Sequence, residues 1–199
     1  MKLSILIYSA ILSIATIGSK DGEKWVRTTD RDGIVTYIGQ KNAAGYKPTR
    51  ATMTVAIPPE KIIEVLTDVD EYTNWVPECD VAKHIDKGSE NTLYCYQVFS
   101  VPLIKDRNLV SQVSVTEDKG IYYLRITSKP ERVKAYDESV RIQHFMAEYT
   151  ITPLENGKTK LDMWSELNMD GIPAFLVNWV NESKPYDAFD RLRKQLNKI

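Results

Sequence analysis

The stretch that most constrains this chain is residues 170–196, DGIPAFLVNWVNESKPYDAFDRLRKQL. Gly171 and Pro173 open it, and apolar Ile172, Phe175, Leu176, Trp179, Tyr186 and Phe189 then recur at three- and four-residue steps, which predicts a helix with one apolar side. Asn178, Asn181, Glu182, Asp187 and Asp190 fall mostly elsewhere around it, so the helix reads as amphipathic and not as a membrane span. At roughly 1.5–3 kcal/mol for each fully buried large apolar side chain, covering that side is worth on the order of 10 kcal/mol gross. The surface that receives it is therefore either the main core or the wall of a cavity that something else shares. Pro185 deletes a backbone donor inside the stretch, which predicts either a hinge-like kink or a break into two shorter helices.

The rest of the chain supplies strands to meet that helix. A polar turn at Asp30 to Gly33 precedes a strand running toward Gly39, and a second strand spans 51–57. Pro59 then starts a helix carrying Ile62, Ile63, Val65, Leu66 and Val69, followed by an irregular corner at TNWVPEC. Beyond it the period falls to two, with strands expected at 80–86, 91–100, 108–116, 121–128, 139–152 and 158–168, joined by short turns with Gly88, Gly120 and Gly157. Short connections imply an antiparallel meander. Alternation puts Val113, Val115, Leu124, Ile126, Phe145, Ala147, Tyr149, Leu161, Met163 and Leu167 on one dry face, and Arg125, Glu148, Lys160, Asp162 and Glu166 on the other. The longest loop, SKPERVKAYDES, is the candidate mobile segment.

At 199 residues the chain suits one domain, 20–199, behind a leader at 1–19. That leader, MKLSILIYSAILSIATIGS, has one basic residue, a continuous apolar run and small residues near its end, the layout of a secretory signal peptide cut after Ala15, Gly18 or Ser19. The run is shorter than the roughly 20 residues of a spanning helix, which favours cleavage over an uncleaved anchor and places the remainder in the periplasm or outside the cell. Lys plus Arg number 26 against 27 Asp plus Glu, so there is no basic field for a phosphate backbone and nucleic acid is excluded as a partner. Cys79 and Cys95 lie in a compartment where a disulfide is allowed, but a hairpin about KGSE puts Ala82 opposite Cys95, about three residues out of register with Cys79, so both are expected to be reduced.

Chemistry finds little purchase. His84 and His144 are far apart and neither has a partner at ligand spacing, so no metal site is expected, and no cofactor. GIVTYIGQK lacks the lysine of a phosphate loop, and there is no G-x-S-x-G elbow. Asn181-Glu182-Ser183 matches a glycosylation acceptor but lies within the helix. Two features ask for more: VPLIKDRNLV sets Asp106 and Arg107 directly before an apolar strand, and VRIQHF opens the longest strand with Arg141. A charge entering a dry sheet must be paired or solvated.

In their order, DGIVTY, IPPEKIIEVLTDVDEYTNWVPECDVAKHI, VPLIKDRNLV, VRIQHFMAEYTITPLENGKTKL and GIPAFLVNWVNESKPYDAFDRLRKQL resemble START domains, the steroidogenic-acute-regulatory-related lipid-transfer modules of the helix-grip, Bet v 1-like superfamily. The resemblance runs from Trp25 to about Leu196. It implies an α+β helix-grip fold, a curved antiparallel sheet wrapped around a long C-terminal helix with shorter helices after the second strand, and a tunnel between them for one hydrophobic molecule. Arg107 matches the arginine of the family's DRD-like motif, Trp75 the tryptophan after the first long helix, and Phe175 to Trp179 the lid segment. Pro185 sits where such proteins tend to carry a proline, which favours the kinked lid. Asn108 in place of a second acid, and Asn168-Met169-Asp170-Gly171 in place of an Asp-Pro-Gly turn, depart from the pattern and bear on ligand identity.

The expected function is binding, with transfer, of a lipid or sterol-like molecule without chemistry, by a monomer that touches membranes transiently. The expected ligand-binding residues are Phe145, Tyr149, Met163 and Leu167 from the sheet, Phe175, Leu176, Trp179, Tyr186 and Phe189 from the helix, and Trp75, with Arg107 or Arg141 orienting a polar head group. Two rivals stand beside it. A polyketide cyclase or aromatase-like enzyme of the same fold would need an acid or base facing the cavity, for which Glu166, His144 and Tyr149 are the candidates, the first two pointing away from the dry face. An adaptor without a ligand would simply fill the dry face with core.

Overall fold

The computed structural model of the chain describes residues 24–89, 91–102, 104–134 and 139–199. The expected leader and residues 135–138 of the candidate mobile loop lie outside the described residues.

The chain opens with β1 (Val26–Arg31), β2 (Ile34–Ile38) and β3 (Thr49–Val55). Asp32 and Gly33, both at positive φ (54° and 74°), form the two-residue turn that closes the β1–β2 hairpin in the sense matching strand twist. The sequence reading recognised this turn but only one of its strands, because VRTTDR lies mostly exposed and has no alternation to betray it. Next come α1 (Pro59–Thr67), a 3-10 turn at Val69–Glu71 and α2 (Tyr72–Trp75). Pro59 begins α1 with its φ already helical, and Ile62, Val65 and Leu66 are the residues it buries.

The chain then meanders through β4 (Cys79–Lys87), β5 (Thr92–Phe99), β6 (Arg107–Asp118) and β7 (Ile121–Ser128), the short β8 (Val140–Arg141), β9 (His144–Pro153) and β10 (Thr159–Asn168), and ends in α3 (Ala174–Leu196). The sheet order is β1-β2-β3-β10-β9-β7-β6-β5-β4, with β8 pairing in parallel to β6. Going from β3 to β4 therefore means crossing the whole sheet, and that crossing carries α1 and α2. Ile62, Trp75 and Cys79 join Met53, Leu124, Ile151, Leu161, Phe189 and Leu192 in one buried core, so these helices and α3 lie on the same face. The architecture is the curved antiparallel sheet with a long C-terminal helix that was expected.

Two strand expectations need correction. Cys95 pairs with His84, not Ala82, because the ladder starts at Lys87–Leu93 instead of closing tightly at KGSE, and the irregularities between His84 and Asp86 and between Cys79 and Val81 recover only part of that offset; Cys79 pairs with Phe99. The strand expected at 139–152 is two strands with different neighbours, so Arg141 belongs to β8 rather than opening β9. At the break the Ser128 hydroxyl donates to the Gln143 carbonyl and accepts from the Phe145 amide, satisfying backbone groups that no strand pairs there.

In α3 the helix is unbroken across Pro185, but the inward side differs from the one the apolar residues suggested. Phe175, Leu176 and Trp179 are 70%, 42% and 69% exposed, whereas Val177, Asn178, Pro185, Phe189, Leu192 and Leu196 are buried. That second set also keeps helical spacing, with a seven-residue step from Asn178 to Pro185 and three- or four-residue steps from there to Leu196. It escaped notice because two of its members, an asparagine and a proline, do not look like core.

Candidate functional site

The inner face of the sheet is built by pairing rather than by proximity in sequence. Leu161 pairs with Met53 and Ile151, Met163 with Ala51 and Tyr149, and Leu167 with Phe145. Leu124 opposite Tyr149 and Ile126 opposite Ala147 extend the same surface to β7, and Val113 opposite Ile126 extends it to β6. Along β6 the register with β5 is uninterrupted from Thr92–Ser114 to Phe99–Arg107, so Arg107, Leu109 and Ser111 share the inward side with Val113, facing Phe99, Gln97 and Cys95.

This far end of the inner face is polar, and the sequence reading missed most of it. The Gln97 amide donates to Cys79 Sγ (3.8 Å) and accepts from Cys95 Sγ (3.9 Å), while Cys95 Sγ lies 3.1 Å from Ser111 Oγ. Both thiols are free, and burial pushes Cys95 up to about 11, so it stays protonated. Extending the β5 and β6 alternation two residues back from Val113 would have found Ser111. Tyr72, raised by burial, donates to the Leu66 carbonyl at 2.6 Å and meets Trp75 edge-on at 5.4 Å.

Three inner groups are left without a hydrogen-bond partner among the described residues. Arg107 is 7% exposed and its Nε is buried and unbonded; Trp75 Nε1 is in the same condition. Tyr149 is enclosed deeply enough that burial alone drives its hydroxyl to about 12, yet its side chain keeps partly accessible surface. Phe145, Leu167, Ile126 and Phe99 on the same face are likewise only partly buried.

Of the remaining expected residues, Met163 (8% exposed) and Phe189 (1%) lie in the core. Tyr186 turns to the β1–β2 hairpin, where its hydroxyl donates to Asp32 at 2.7 Å and Arg31 stacks 4.0 Å from its ring. Arg141 shares the outer side with Asn108, which it pairs with and bonds through Nε, and its Nη1 donates to the carbonyls of Pro130 (2.6 Å) and Val133 (2.9 Å). It is a clamp on the 129–134 loop. Glu166 and His144 stand on the outer side too, Glu166 accepting from Asn42 at 2.6 Å.

The first half of α3 is held by polar contacts. Asn178, 6% exposed, accepts from the Lys47 amide (2.8 Å) and donates to the Gly45 carbonyl (3.0 Å); Asn181 donates to the Lys47 carbonyl (3.0 Å), and Lys47 pairs with Glu182 at 2.9 Å. The loop between β2 and β3 thus straps this half from one side and leaves Phe175 and Trp179 facing outward. Near β4, β5 and the 129–134 loop, Lys83, His84, Ile85, Tyr96 and Val133 line a half-open groove of about 290 Å³. No metal-ligand cluster and no helix long and apolar enough to cross a membrane occurs among the described residues.

The model of the START domain family matches residues 15–199. No curated protein sequence matches the chain. Among solved structures, it is similar to a StAR-related lipid transfer protein from Xanthomonas axonopodis (TM-score 0.81, 20% identity, 87% of this chain and 98% of that one). Human STARD10 gives a TM-score of 0.78 at 18% identity, over 87% of this chain and 73% of that one. The Zhui aromatase/cyclase from Streptomyces sp. R1128 gives 0.58 at 14% identity, over 76% and 93%.

Proposed function

The chain belongs to the START domain family, and from that premise we propose that it carries one lipid or sterol-like molecule between the inner face of its sheet and α3, without altering it. The observation that carries this reading is Tyr149. Burial pushes its hydroxyl up to about 12 and no hydrogen bond reaches it among the described residues, yet its side chain keeps accessible surface on the face it shares with Phe145 and Leu167. A carrier needs an inner face that helices cover without filling, since ligand burial would then complete the core at roughly 25 cal/mol per Å².

The exposed Phe175, Leu176 and Trp179 give the carrier a greasy contact for a bilayer during loading and release. Export after removal of residues 1–19 would set this work in the periplasm or outside the cell, as a monomer. The similarity to an aromatase/cyclase raises the enzyme reading. It is the weaker one, because Glu166 and His144 occupy the outer side, and Tyr149, at about 12, is a neutral donor rather than a base.

Organic extraction of the protein purified from its own host, with mass spectrometry of the extract and native mass spectrometry of the complex, tests the proposal. One lipid equivalent per chain is expected. A chain that arrives empty and takes up no hydrophobic molecule overturns it.

A further inference from the structure

The polar end of the inner face has a sign. Arg107 is charged, 7% exposed, and has neither a hydrogen bond at Nε nor an ion pair among the described residues. Glu78, the acid beside Cys79 at the Phe99 end of the β4–β5 pairing, is taken by Lys184 from α3 at 2.6 Å. Asp106 lies directly before β6, and the ion pairs among the described residues do not join it to Arg107. A buried guanidinium without an anion is costly, and a fold that keeps one gains only if the anion comes from outside.

We propose that Arg107 receives the anionic end group of the bound molecule, a carboxylate or a phosphate, so that the carrier's ligand is an acidic amphiphile rather than a neutral sterol-like one. This rests on the carrier reading and narrows it. The other buried group without a partner among the described residues agrees in polarity, since Trp75 Nε1 is donor only. A planar guanidinium fits two oxygens of a carboxylate or phosphate at once, whereas a lone hydroxyl would leave the charge unneutralised.

The test uses the full chain stripped of lipid and four probes: palmitate, hexadecyl phosphate, hexadecanol and cholesterol. With equal tails, the acids should bind about ten- to a hundred-fold more tightly than hexadecanol. Arg107→Gln should erase that preference while keeping hexadecanol binding, and Arg107→Lys should retain part of it. Preference for palmitate alone points to free fatty acids as the source and preference for hexadecyl phosphate alone to phospholipid head groups, each supporting the inference. Equal binding of acids and alcohol overturns it and leaves the carrier reading standing, whereas no binding of any probe overturns both. Ligand-free Arg107→Gln should also melt at a higher temperature than the natural chain, because the unpaired charge is gone. A lower melting temperature overturns the inference, since it means that Arg107 already has its partner in the empty protein.

Discussion

Arg107 and Arg141 sit one register step apart where β6 pairs in parallel with β8, yet they serve opposite faces of the sheet. Arg107 looks inward and its Nε has no partner among the described residues; Arg141 looks outward and holds Asn108 and the carbonyls of Pro130 and Val133. Removing Arg141 strands the buried Asn108 amide oxygen and the part-buried carbonyls of Pro130 and Val133 at once. Arg141→Ala is expected to cost about 3–5 kcal/mol by urea unfolding, with Arg141→Lys recovering little because an ammonium cannot reproduce the fork. Unchanged stability in Arg141→Ala would show the clamp to be idle.

Asn178 is the analogous polar anchor on α3. Asn178→Ala leaves the Lys47 amide and the Gly45 carbonyl unpaired, at an expected cost of about 2–3 kcal/mol. Amide exchange should quicken in residues 42–48 and stay slow in β9 and β10, and uniform acceleration across both regions would contradict the strap.

The two halves of α3 should respond differently to truncation. Phe189, 1% exposed in the main core, should cost about 3–5 kcal/mol on replacement by Ala. Trp179, 69% exposed, should cost no more than about 0.5 kcal/mol. Trp179→Ala should nevertheless weaken co-sedimentation with phosphatidylcholine–phosphatidylglycerol vesicles; full retention removes the proposed bilayer contact.

Asp162 supplies a pH-dependent term. Burial works to raise its carboxyl, but hydrogen bonds from Arg50 (2.7 Å) and Lys160 (2.6 Å) outweigh burial and hold it below the ordinary 3.8. A lowered folded-state value means that the stabilisation is complete above the unfolded value and vanishes as pH falls through the folded one. Asp162→Asn should therefore be less stable by about 1 kcal/mol at neutral pH and converge with the natural chain in acid below that range. A difference that persists in acid would assign the loss to packing instead.

The inner face was readable from β6 to β10 because strand alternation is a local property. Val113, Leu124, Ala147, Leu161 and Met163 are inward by parity alone, and each is buried. The β4–β5 register was not readable, since the ladder starts at Lys87–Leu93, further from KGSE than a tight turn would set it, and two irregularities in β4 shift it again without any mark in composition. Of the polar end, Ser111 was readable by the same parity as Val113, whereas Cys95 and Gln97 on β5 resemble an ordinary exposed strand until α2 and the core close over them.

By itself the amino-acid sequence determined the order of elements, the turn at Asp32 and Gly33, the helix starting after Pro173, and the family, because periodicity and backbone preference act over a few residues. Which side of α3 turns inward, and which of the two arginines meets the interior, were decided only in three dimensions. Both depend on contacts between segments remote in the chain, the 42–48 loop on α3 and β8 on β6, and a helix or strand offers every side to solvent until such a partner selects one.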